Sequence, residues 1–108
     1  MLKVGGIWVS PAEVEHTMIE HPGVLACAIV GRADHDGLIK PIAYVVLRPD
    51  AVESPDLAGQ LQQFARERLA EYKRPRWVEF VESLPTTATG KVQRFKLRER
   101  AAQNATPE

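Results

Sequence analysis

The heptapeptide PTTATGK, residues 85–91, is a run of small residues that ends in a glycine and a lysine. Such a flexible loop can carry one ammonium group up to a phosphate or carboxylate, where a fixed cation stabilises charge that shifts during a reaction. It does not qualify as a P-loop. That motif needs a glycine where Pro85 stands, a Ser or Thr where Val92 stands, and a parallel sheet before it, none of which the sequence offers. Two readings of Lys91 then stand on these residues: a surface lysine on a mobile loop, or a lysine delivered to chemistry that takes place elsewhere.

The other reactive side chains form no comparable pattern. Cys27 lies inside the apolar run VLACAIV with no histidine at a suggestive spacing, and it reads as a small buried hydrophobe. One cysteine allows no disulfide framework, which fits a cytoplasmic setting. His35 stands between Asp34 and Asp36, while His16 and His21 are too far apart to share a helix face. None has the His-x3-His or Cys-x2-Cys spacing of a zinc site, so no metal site is expected in this chain.

Net charge is zero but unevenly placed: residues 66–100 hold ten of the fourteen Lys and Arg against five acids. That third is a candidate face for an anionic partner. A nucleic-acid module is disfavoured, because the aromatics amount to 6% and do not interleave with the basic residues as stacking platforms do. No apolar run approaches the ~20 residues of a membrane span, and the N-terminus shows no secretory pattern.

The elements that must position these residues can be read in order. Leu2 to Ser10 is two short apolar pieces around Gly5-Gly6, a tight hairpin. Ser10-Pro11-Ala12-Glu13 starts a helix, with Ser10 as cap, Pro11 in the first turn and Glu13 closing a capping box. Val14, Met18 and Ile19 form its apolar stripe, and His21-Pro22-Gly23 ends it. Residues 24–31 and 41–47 are apolar runs of strand length joined by the polar turn ADHDGLIK, an expected antiparallel pair. Ser54-Pro55-Asp56 starts a second helix, buried through Leu57, Leu61, Phe64 and Leu69. Residues 77–81 alternate as a third strand, 92–102 read as a basic helix, and 103–108 as a frayed tail. A length of 108 residues suits one domain with one modest core. The expected fold is α+β: a small antiparallel sheet covered by helices, with an N-terminal hairpin.

KVGGIWVSPAEVE near the start and LPTTATGKVQRFKLR near the end together resemble the two signature motifs in the C-terminal domain of adenylate-forming acyl-CoA synthetases. ADHDGLIKPIAYVVL and YKRPRWVEFVESLP match in between, so the resemblance spans about residues 2–100. The string Gly-Ile-Trp-Val-Ser-Pro is most similar to aryl-CoA ligases of the benzoate–CoA ligase kind.

The resemblance implies a lid domain, inactive alone, whose partner is a large N-terminal domain that binds ATP, Mg²⁺ and the carboxylic acid. It implies that Lys91, supported by Thr89 and Gly90, enters the active site as acid and ATP become an acyl-adenylate. After a rotation, Gly5 and Gly6 would line a tunnel for the pantetheine arm of coenzyme A. Trp8 would stand at its wall, although many relatives carry a polar residue there and a Ser at Gly5. Lys3 matches a lysine that enters the site in this second pose, and Arg66, Lys73, Arg74 and Arg76 are candidates for the CoA phosphates. A lysine acetyltransferase and deacetylase acting on Lys91 are further implied partners. The alternatives are the lid of a carrier-loading adenylation domain or of a luciferase-like enzyme, and a free-standing anion-binding module.

Overall fold

The computed structural model describes residues 2–4 and 6–103. Leu2–Val4 (β1) and Ile7–Val9 (β2) pair antiparallel, with Lys3 opposite Trp8. Their turn depends on Gly6, whose φ of +82° is one that residues with a Cβ avoid. Gly5, expected to share that turn, lies outside the described residues.

Pro11–Ile19 forms α1 with Pro11 in its first turn, but the expected capping box is absent. The Ser10 side chain makes no capping bond, and the Glu13 carboxylate turns instead to Lys73. Ile19 is exposed, so Val14 and Met18 carry the buried stripe. Pro55–Arg68 forms α2, and here the Ser54 hydroxyl does accept from the Leu57 amide at 3.1 Å. Phe64 is only half-buried; Ala65 takes the core position beside Leu61. The two caps therefore separate experimentally. Ser54→Ala should cost about 1 kcal/mol in chemical denaturation, whereas Ser10→Ala should leave the midpoint nearly unchanged.

Val24–Ala33 (β3), Ile39–Leu47 (β4) and Trp77–Phe80 (β5) form a sheet in that order. β3 and β4 are an antiparallel hairpin, longer than the apolar runs because the Asp34 carboxylate closes the turn by accepting from the Asp36 and Leu38 amides. β5 corrects the expectation of an all-antiparallel sheet: it runs parallel to β4. The segment between them contains α2, and a helix-bearing crossover is what brings a following strand back in the same direction.

A second correction concerns the core, which the sheet divides in two. On one face Val4, Val9, Val14, Met18, Cys27, Ile29, Val45, Leu61 and Ala65 pack together, joining the hairpin, α1 and α2. On the other, Ala28, Val30, Ile42 and Tyr44 meet Leu97 and Ala101 of Arg94–Gln103 (α3). This helix begins two residues later than expected and runs through Gln103, the first residue of the predicted tail; residues 104–108 lie outside those described. Cys27 is buried as expected, and burial, reinforced by the Glu15 charge, pushes its thiol up to about 12. No helix among the described residues is long and apolar enough to cross a membrane.

Candidate functional site

Lys91 closes a compact hydrogen-bonded turn rather than an open flexible stretch. Its carbonyl accepts from the Thr87 amide at 2.8 Å, its own amide donates to the Thr87 hydroxyl at 3.2 Å, and the Gly90 amide donates to the Thr87 carbonyl at 2.9 Å. Thr89 meets Thr87 hydroxyl to hydroxyl at 3.0 Å, and Gly90 takes a φ of +86° that completes the turn. A bridge between Thr86 and Val92, with the Gln93 amide donating to the Pro85 carbonyl, seals the base. The Lys91 ammonium is exposed and makes no hydrogen bond or ion pair among the described residues. The parallel strand β5 does precede this loop, contrary to expectation, but Pro85 and Val92 still deny it a P-loop's glycine and magnesium ligand.

The hairpin site is built differently. Gly6 is exposed and, chain neighbours apart, no atom of the described residues lies within 4 Å of where a Cβ would stand; Trp8, two residues on, is 60% exposed. Lys3 lies across the strand pair with its ammonium 5.6 Å from the Trp8 ring centroid. Below the turn, Val4 and Ile7 form one wall of an open cleft of about 490 Å³. Arg66, Arg74, Arg76 and Lys40 supply positive charge to that cleft against the single acid Glu71 among the described residues, and Tyr72 also lines it. Arg74 is steadied by donating to the Leu69 carbonyl at 3.3 Å, and Gln62 holds the Arg76 carbonyl at 2.9 Å.

Three of the four basic candidates thus converge. Lys73 does not line the cleft: its ammonium sits 3.0 Å from the Glu13 carboxylate, whose hydrogen bond raises the lysine's pKa. Tyr72 and Lys40 also line the cleft, and no spacing or motif in the sequence marks them for it. Among the described residues no group of three or more His, Cys, Asp or Glu is placed to hold a metal.

The two loops stand on opposite faces of the sheet. Val4 and Val9 anchor the hairpin in the core shared with α1 and α2, whereas Leu84 and Val92, which flank the Lys91 turn, pack into the core beneath α3. A single rigid domain in one orientation presents one of these faces more readily than both.

Residues 13–91 match the AMP-binding enzyme C-terminal domain, most of the chain's length. The chain belongs to that family. Among its relatives, the benzoate–CoA ligase of Thauera aromatica is 55% identical over 98 residues, covering 91% of this chain and 19% of the ligase. A 4-hydroxybenzoate–CoA/benzoate–CoA ligase of Rhodopseudomonas palustris is 41% identical over 100 residues, with 92% and 19% covered. The crystal structure of the anthranilate CoA ligase AuaEII with anthranoyl-AMP superposes with a TM-score of 0.91 at 56% identity, covering 95% of this chain and 20% of that one. A benzoate CoA ligase from Burkholderia xenovorans LB400 gives 0.80 at 52% identity, with 84% and 18% covered. The α+β architecture is thus that of the C-terminal domains of acyl-CoA ligases. The chain spans about a fifth of the length of the relatives it matches.

Proposed function

We propose that this domain is the C-terminal lid of an ATP-dependent ligase joining an aromatic carboxylic acid to coenzyme A. The observation that carries this reading is the placement of two signature loops on opposite faces of one sheet, each with chemistry suited to one half-reaction. In the first, acid and ATP give an acyl-adenylate and pyrophosphate, with ATP and Mg²⁺ held mainly by the larger N-terminal domain. Lys91 is the cation brought to the carboxylate and α-phosphate as negative charge moves from nucleophile to leaving group. Its turn holds the backbone while the ammonium stays unpaired among the described residues, which keeps it available for this contact.

In the second half-reaction the domain turns its hairpin face to the acyl-adenylate. Gly6 leaves room for the pantetheine arm, Trp8 and Lys3 stand beside it, and the cleft of Arg66, Arg74 and Arg76 receives the phosphates of the nucleotide end. Guanidinium forks suit phosphate oxygens, and Tyr72 offers its ring to the base. An exposed, unpaired Lys91 also suits regulation by a lysine acetyltransferase, because acetylation removes the charge the first half-reaction requires.

The test uses the full-length protein that carries this domain. It should exchange pyrophosphate into ATP in the presence of benzoate or a substituted benzoate, and form the aryl-CoA thioester when CoA is added. The isolated 108-residue chain should show no turnover and no micromolar ATP binding by calorimetry. Exchange with no aromatic acid, or tight ATP binding by the isolated chain, would contradict the proposal.

A further inference from the structure

Glu15 joins three elements of the structure through its carboxylate. It projects from α1, on the hairpin side of the sheet, and its side chain is only 13% exposed. One carboxylate oxygen accepts from the Ile29 amide at 2.8 Å, satisfying a donor on β3, an edge strand of the sheet. The same oxygen lies 3.3 Å from Arg94 Nε, and its twin pairs with an Arg94 terminal nitrogen. Arg94 is the first residue of α3, on the opposite side of the sheet, and it follows Lys91 by three positions. One carboxylate therefore straps the edge of the sheet and ties α1, which follows the hairpin, to the start of α3.

We infer that Glu15 is a positioning residue for Lys91, acting through Arg94. The Lys91 turn is sealed at its base by the Thr86–Val92 bridge and by the Gln93 amide on the Pro85 carbonyl. Beyond that seal the next fixed point is Arg94, held in a two-pronged, charge-assisted grip of the kind that sets angle as well as distance. Without the grip, the turn can pivot on the end of α3, and the lysine leaves its attacking geometry. Among the described residues neither Glu15 nor Arg94 bonds the Gly6 turn, so the strap governs adenylate formation and not thioester formation. This inference rests on the proposed role of Lys91.

The experiment uses the full-length enzyme in single turnovers of each half-reaction. Glu15→Gln keeps an oxygen for the Ile29 amide but removes the charge that grips Arg94; Arg94→Gln removes the same pair from the other side. Each should slow adenylate formation by the order of 10- to 100-fold, the scale of a reacting group displaced by an ångström or so. The double variant should be no slower than either single one, and a preformed acyl-adenylate should be converted to thioester at the normal rate. Normal adenylate formation in either single variant would overturn the inference. So would an equal loss in both half-reactions with a lowered melting temperature, which marks a purely structural strap. Lys91→Ala run alongside separates the two claims: if that variant is slow while Glu15→Gln is normal, the role of Lys91 stands and the positioning role falls.

Discussion

Replacing Lys91 with alanine in the full-length protein is expected to slow acyl-adenylate formation by about 10²–10³-fold, the usual loss when one donor to a developing charge is removed. The structure supplies the physical reason for an effect of that size. The turn from Thr87 to Lys91 holds the backbone with three hydrogen bonds, so the point from which the side chain extends is fixed. Its ammonium has no internal partner among the described residues to compete with a carboxylate or phosphate. Alanine keeps the turn, because those bonds use the backbone of residue 91 and the Thr87 hydroxyl. The loss should therefore appear in the rate with no matching fall in thermal stability. Rapid-quench measurement of pyrophosphate release checks it, and an unchanged rate would contradict the assignment.

The second large effect is expected at Gly6. Gly6→Leu should reduce transfer of the acyl group from a preformed adenylate to CoA by ~10²-fold or more, the scale reached when a reacting group is misplaced by an ångström. It should leave pyrophosphate release nearly intact. Part of any effect is local, because a φ of +82° strains a residue with a Cβ by roughly 1–2 kcal/mol. Chain neighbours apart, however, no atom of the described residues lies within 4 Å of the added Cβ. Gly6→Asn, a residue that tolerates this backbone better, should fold normally and still impair thioester formation. Full transfer activity in both variants would remove the hairpin from the CoA path.

Much of this was legible in the residues, for identifiable reasons. The Gly-Gly turn, the Ser54-Pro55 helix start and the two long apolar runs are local signals, and the hairpin, α2, β3 and β4 follow them. The direction of β5 was not legible. An alternation such as Trp77 to Val81 sends Val78 and Phe80 to one core and Trp77 and Val81 to the other, and it looks the same in a parallel or an antiparallel strand. Long-range ion pairs were equally silent. Glu13 had a plausible local use as a capping group, yet its carboxylate bonds Lys73, 60 residues away. Glu15 and Arg94 are 79 residues apart, and no spacing rule joins them. The cleft illustrates both sides: Arg66, Arg74 and Arg76 were visible as a basic cluster, but only the fold shows that they face Val4 and Ile7 of the hairpin while Lys73 turns away.

One domain is proposed to serve two half-reactions from two faces. The most direct measurement gives the Lys91→Ala enzyme a preformed aryl-adenylate and CoA in a single turnover, and compares thioester formation with the unsubstituted enzyme. The opposite placement of the two loops predicts a near-normal rate, because Lys91 is on the far side of the sheet from the hairpin when CoA attacks. A rate reduced as severely as adenylate formation would mean that Lys91 stays in the site throughout, and that one fixed pose serves both reactions.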